Sequence, residues 1–488
     1  MRSKLYPLLV VAMAVAGLAA ADVDLVALTE NRVHARLHEQ KVADRLLVDA
    51  QGIPEAHVSD IPCVDGQAGG FACDGIDLLS FTPLADLGFI ATDVLTGGGA
   101  SDIWGWTSPD TGKEYVLLGH TNGTAAVDVT NPLAPVYLGS VPNTSPAQLI
   151  WHDIKIVNDH AVIASESAAH GLQILDLTRL DGMDGSTSDL PITFDAFYPL
   201  SGAQHNLVDN EDADQMIVVG GSIAALGLPA DQCDSGLNIL DFSNPLLPTP
   251  AGCYADSSYI HDAQCLTYDG PDIEHVGKNI CANFAEDHIS IVDITDPAAG
   301  TLISRFEYDH TRYTHQGWFT EDRRYLLAND ELDETDAPEV THTRTLVIDV
   351  SDLDAPRMHL EAMRDGSDGN PATTSIDHNN YTHGGRAYQS NYTSGLRVID
   401  LAGLDADDAP RWQEVAFFDT YPATDAATFH GTWSNYPYFE SGTIAVSGID
   451  EGLFLLRLQD PEPEVQRPGN RPEVPPGHYR RPRGPDRG

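Results

Sequence analysis

Two short sequence signals recur seven times along this chain, always in the same order, and that recurrence narrows the possible folds more than any other feature. The first signal begins at or just before a His or Asp: SDIWGW, WHDIKI, QHNLVD, IHDAQC, THQGWF, DHNNYT and FHGTWS. The second is an apolar run that usually ends in Asp before a turn: GTAAVDVTNP, GLQILDLTRL, GLNILDFSNP, HISIVDITDP, TLVIDVSDL, GLRVIDLAGL and GLFLLRLQD. Copies are roughly 50 to 60 residues apart, a period typical of repeat architectures. Further strand-like runs lie between and after them, such as HAVIAS, QMIVVGG, RYLLAN and TIAVSG, then VYLGSV, FDAFYP and VAFFDT. Each unit therefore reads as four short strands rich in β-branched and aromatic residues, broken by Gly, Asn, Asp and Pro. The expected fold class is all-β: a seven-bladed β-propeller over residues 61–458. A helical solenoid is excluded because no 3.6-residue periodicity runs through the units.

The seventh unit stops after GLFLLRLQD and lacks a fourth strand. The segment LLSFTPLADLGFIATDV, ahead of the first unit, resembles the outer strand LAPVYLGSV and can supply it. Closure of this kind ties residues near 80–95 to residues near 433–458 and leaves no open edge between first and last blades. Upstream, residues 22–60 form an N-terminal extension, in which Val33, Leu37, Val42, Leu46 and Leu47 have the spacing of one amphipathic helix. Residues 1–21, with Arg2 and Lys4 before an apolar run and Ala19-Ala20-Ala21 at its end, read as a signal peptide. Residues 459–488 are too rich in Pro and Arg to bury a core and read as a disordered tail.

A formal net charge of −46 repels nucleic acid and anionic lipid, so neither is an expected partner. No stretch of the mature chain is long and apolar enough to suggest a transmembrane segment. Six cysteines in an exported chain, with no Cys-x-x-Cys pair, favour disulfides over metal thiolates. Proximity suggests Cys63 with Cys73, Cys233 with Cys253 and Cys265 with Cys281, out of fifteen possible pairings.

The stretches CVDGQAGGFACDGIDLLSFTPL, DIWGWTSPDTGKEYVLLGHTNGTAAVDVTNPLAPVYLG, THQGWFTEDRRYLLANDELDE, SNYTSGLRVIDL and GTWSNYPYFESGTIAVSGIDEGLFLL resemble the choice-of-anchor B proteins. The similarity covers roughly residues 61–458. It implies an exported protein built of LVIVD-type propeller repeats, extracellular, periplasmic or on the cell surface, and it implies no established reaction. The family's C-terminal surface-sorting signal has no counterpart at the end of this sequence, which leaves the mode of attachment open.

Propeller geometry indicates where a site belongs. The first strand of each blade lines the central channel, and the loops entering it share a face with the loops between second and third strands. Two residue sets therefore converge: His152, His205, His261, His315, His378 and His430, with Asp102 matching them in the first unit, and Glu166, His170, Glu286, Asp287, Asp330, Glu331, Asp333, Asn391 and Tyr392. Imidazole with carboxylate suits a transition metal, and carboxylate with amide oxygen suits Ca. The alternative use of each His is a hydrogen bond to the adjacent blade. In the acidic stretch NDELDETD, from Asn329 to Asp336, a Ca site is one reading and ion pairing with Arg344 and Arg397 is another. The aromatic runs Trp104–Trp106 and Trp433–Phe439 suit sugar stacking or packing between blades seven and one. No nucleophile elbow, zinc-protease motif or phosphate-binding loop is present. The expected function is a non-catalytic binding module for an extracellular protein, glycan or small ligand, including a metal. The alternative is a metal-dependent hydrolase or lyase at the channel mouth.

Overall fold

The Asp that ends the apolar run has a local role. In six of the seven units its carboxylate accepts the backbone N–H two residues on: Asp128 from Thr130, Asp176 from Thr178, Asp241 from Ser243, Asp293 from Thr295, Asp349 from Ser351 and Asp400 from Ala402. Such an Asx turn reverses the chain sharply after a strand. Arg457 takes that place in the seventh unit.

A computed structural model describes residues 54, 56–90, 98–145, 149–167, 170–199, 204–221, 235–367, 369–406 and 411–459. Over these the chain is a seven-bladed β-propeller of antiparallel sheets. The inner strands Ala100–Thr107, His152–Val157, Asn206–Asn210, Asp262–Thr267, Thr314–Phe319, Asn379–His383 and Thr432–Tyr436 define blades 1 to 7. Each packs against the inner strands of both neighbouring blades, so the seven enclose a channel. In six blades the pairing of third and fourth strands shifts register at the same step, just before the turn Asp or its Arg457 counterpart, for instance between Ile291 and Val292 or between Val347 and Ile348. A bulge there adds local twist to the outer part of each blade.

Apolar side chains interleave between blades. Leu117 and Leu118 of blade 1 share one cluster with Ile154 and Ile163 of blade 2 and with Leu455 of blade 7. Phe284 and Ile291 of blade 4 meet Phe319 and Leu346 of blade 5 in another. Burying each such side chain contributes on the order of 2 kcal/mol. The inner strands also press closely: a Cβ on Gly105 would stand 2.2 Å from a ring carbon of Tyr436 in the next blade.

The ring closes as the sequence predicts, with sharper boundaries. Ile76–Pro83 is the fourth strand of blade 7 and pairs with Gly452–Leu458, Phe81 opposite Phe454. The stretch after it is a single 3-10 turn, Leu84–Leu87, rather than more strand. The N-terminal segment also does something the repeat pattern did not show. Phe71–Asp74 adds a fifth strand to blade 6 beside Gln413–Phe418, and the chain then crosses to blade 7 at Gly75. That crossing needs a φ of +63°, with Ala416 immediately alongside, and glycine meets both demands. Val58–Ile61 is likewise a strand, on the outer edge of blade 7, at a position where the expected helical extension still runs. The expected signal peptide of residues 1–21, the expected amphipathic helix around Val33–Leu47 and the expected tail from residue 460 lie outside the described residues.

Cys63 is bonded to Cys73, which clasps the outer edges of blades 6 and 7, and Cys265 to its cross-strand partner Cys281 in blade 4. Cys253 is also disulfide-bonded, and Cys233 lies outside the described residues.

Candidate functional site

Alternation along an inner strand sends every second side chain into the channel, so the residues one and three after the entry His, such as Asp153 and Lys155 or Asn379 and Tyr381, share that space. At the entry end, four consecutive blades bring their histidines together as an arc. Ring centroids are 4.3 Å apart for His205 and His261, 4.2 Å for His261 and His315, and 4.4 Å for His315 and His378. All four line a channel cavity with Trp433. Glu331, from the loop after the second strand of blade 5, is fully buried beside them: its carboxylate is 3.6 Å from His315 Nε2 and 3.5 Å from His378 Nε2. It also accepts the Tyr392 hydroxyl at 2.5 Å. Glu166 holds His205 through Nδ1. The charges of Glu286, Glu331 and Glu166 all act on Tyr313, whose hydroxyl is pushed far up, first by burial.

Hydrogen bonds fix the direction of two rings. His378 Nδ1 meets the Trp433 carbonyl at 2.6 Å and His261 Nδ1 meets the His315 carbonyl at 2.9 Å. A carbonyl only accepts, so Nδ1 carries the proton in both rings and a neutral imidazole presents its Nε2 lone pair. For His378 that lone pair faces a carboxylate oxygen. Two acceptors so placed are reconciled by a cation between them or by a second proton on the ring.

Other expected members of the set stand apart. His152 does not meet Glu166, which turns to the next blade's His205. It bonds to Asn143 at 2.7 Å through Nε2 and to the Ile150 carbonyl at 3.1 Å, with His170 edge-on at 5.8 Å. Burial pushes His152 down to about 3, and burial also lowers His170. His430 stacks on Tyr421 and faces Asp450 at 3.2 Å. Asp330 faces away from His315: it accepts the N–H groups of Arg312 and Tyr313 and the Tyr308 hydroxyl, each at 2.8 Å, and so fixes the loop leading to His315. Asp333 pairs with Arg344 at 2.7 Å, whereas Arg397 turns to Glu414 at 3.5 Å. Asp287 faces His288 at 2.5 Å instead of the channel, and Asn391 shapes the turn that ends at Gly395.

Below the histidines lies a layer in which the expected Asp102 meets two residues outside the expected set, Asp153 and Lys155. Lys155 reaches Asp153 at 2.6 Å and Asp102 at 3.2 Å, and its ammonium lies 4.6 Å from the Trp104 ring centre. Burial disfavours the charge on Lys155, but the two carboxylates more than offset this and hold it protonated. Burial and the neighbouring Asp153 raise Asp102. The signal was present in WHDIKI, where Asp153 and Lys155 alternate with apolar residues on the strand the His opens. Lys155, Asp262 and Tyr381 border both this region and a larger cavity at the far ends of the inner strands.

No family model matches the chain, and no curated protein matches it. Among solved structures it is similar to the computationally designed Ika8 protein, with a TM-score of 0.41 and 9% identity over 73% of this chain and 82% of that one.

Proposed function

We propose that this chain is an exported β-propeller of the choice-of-anchor B kind that binds a divalent transition metal at the entry end of its channel, through His315, His378 and Glu331, and acts as an extracellular binding module. The donor atoms of these three residues all lie within 4.8 Å of one another. The observation that carries the reading is the His378 ring, which gives its Nδ1 proton to a backbone carbonyl and turns Nε2 to Glu331. An outer carbonyl that fixes the tautomer of an imidazole ligand is the usual support of a metal-binding His. Two imidazoles and one carboxylate suit Zn or a similar ion better than Ca, which prefers oxygen donors alone. The Cys63–Cys73 and Cys265–Cys281 disulfides agree with an exported protein. One observation favours the alternative, a metal-dependent hydrolase or lyase: Glu166 holds His205, a member of the same histidine arc, and a carboxylate near a metal can move a proton.

The test is elemental analysis of the full chain purified without chelator, then melting with and without chelator. Near one equivalent of Zn, Mn, Fe or Co, with melting lowered on chelation, supports the reading. A metal-free protein that takes up none of these ions and melts identically with chelator overturns it.

A further inference from the structure

At the end of the channel opposite the histidines, the inner strands open into a cavity of about 470 Å³, large enough for a small ligand. Its wall is aromatic. Trp318 stands edge-on to Tyr381 at 5.0 Å, Tyr381 edge-on to Trp104 at 5.6 Å, and Tyr438 within 6.4 Å of both Tyr381 and Trp104. Its charged groups are mainly acidic, including Asp209, Glu211 and Asp262. The cations that border it have partners already: Lys155 is held by Asp153 and Asp102, and Arg323 by Asp269 at 3.2 Å. The buried hydroxyl of Tyr438 has no hydrogen-bond partner among the described residues, although it feels the charges of Glu321 and Asp209, which line the same space.

We infer that this cavity binds a small organic ammonium ion, its N–H groups received by Asp209, Glu211 and the Tyr438 hydroxyl and its carbon chain lying against Trp318 and Tyr381. The protein already uses this chemistry on itself, since the Lys155 ammonium lies against Trp104 between two carboxylates. Aromatic faces attract such a cation and tolerate its methylenes. The crowded carboxylates favour it too. Burial and the charge of Asp209 push Glu211 up to about 8, and burial with the charge of Asp153 pushes Asp262 up to about 8, so both hold protons near neutral pH that a bound ammonium ion displaces. A neutral sugar would also find rings and acceptors here but carries no charge to draw these carboxyls into their ionised form. The site shares no residue with the metal set, and the inference does not depend on it.

The experiment is isothermal titration of the full chain with 1,4-diaminobutane, with 1,4-butanediol, methyl glucoside and salt of equal ionic strength as controls. The expected result is one diamine bound per chain and no heat from the diol or the glucoside. The double variant Asp209→Asn with Glu211→Gln binds at least about 10-fold more weakly, and Tyr438→Phe weakens binding by a smaller factor. His315→Ala binds the diamine as the parent does. No diamine binding, equal binding of the diol or the glucoside, or diamine binding indifferent to these substitutions in folded protein overturns the inference. Should the variants fail to fold, the contrast between diamine and diol on the parent still decides it.

Discussion

His378 gives its Nδ1 proton to the Trp433 carbonyl in the adjacent blade, 2.6 Å away, and so turns Nε2 toward Glu331. A hydrogen bond between blades thus sets the chemistry of the channel.

Separate substitutions therefore have different effects on metal content. His315→Ala and His378→Ala each weaken Zn binding by more than about 100-fold, while Tyr392→Phe, which removes only an outer hydrogen bond to Glu331, costs about 10-fold. His152→Ala leaves metal content unchanged, because that ring is engaged by Asn143 and Ile150. Competition with a fluorescent zinc indicator measures all four, and loss of metal in His152→Ala would contradict the assignment.

Removal of residues through Pro83 strips the outer strand from blade 7 and the added strand from blade 6, exposing two unpaired edges. The truncated chain is expected to aggregate, as read by light scattering during size exclusion. Removal of residues 460–488 leaves melting unchanged. A monomeric truncation with parental melting would show that closure contributes nothing.

The Cys63–Cys73 bond closes a short loop at the seam between blades 6 and 7. Replacing both by Ser is expected to lower stability by about 2–3 kcal/mol, measured by denaturant unfolding under non-reducing conditions. Mapping of the unreduced parent should recover the two half-cystines in one disulfide-linked pair of peptides.

Asp262 is raised from its ordinary 3.8 to about 8, by burial first and then by Asp153. Its folded form keeps a proton that the unfolded chain releases near pH 4, so its contribution to stability is full below that pH and is lost as pH climbs through 8. The loss is at most about 1.4 kcal/mol per pH unit. Asp262→Asn removes this dependence, and its stability relative to the parent should improve steadily from pH 5 to pH 8 in urea titrations. A constant difference across that range would mean that Asp262 is ionised throughout.

The period, the blade count and the closing strand were legible because each rests on local signals: an apolar run, a turn Asp, a His at a strand entrance. The arc from His205 to His378 followed from the same regularity. What escaped was set by relations between units. Glu166 turns to His205 rather than to His152 because the loop leans toward the next blade, and no single repeat encodes that. Asp330 looked like a ligand beside Glu331, yet adjacent residues of a tight loop point opposite ways, and only one reaches the channel. The second layer, Asp153 and Lys155, was readable as the positions one and three after the His, the polar half of the alternation in WHDIKI. The fifth strand of blade 6 was not, since Phe71–Asp74 belongs to no repeat.

Thr82 pairs with Leu453, so a strand made near the start of synthesis finds its partner only when nearly the whole propeller has followed. Until then blade 7 lacks its outer strand and the seam between blades 6 and 7 stays unsewn. The ring thus cannot close before blade 7 is made, and a polypeptide interrupted before the seventh blade can seat Phe71–Asp74 on blade 6 at most, leaving Ile76–Pro83 with nothing to hold.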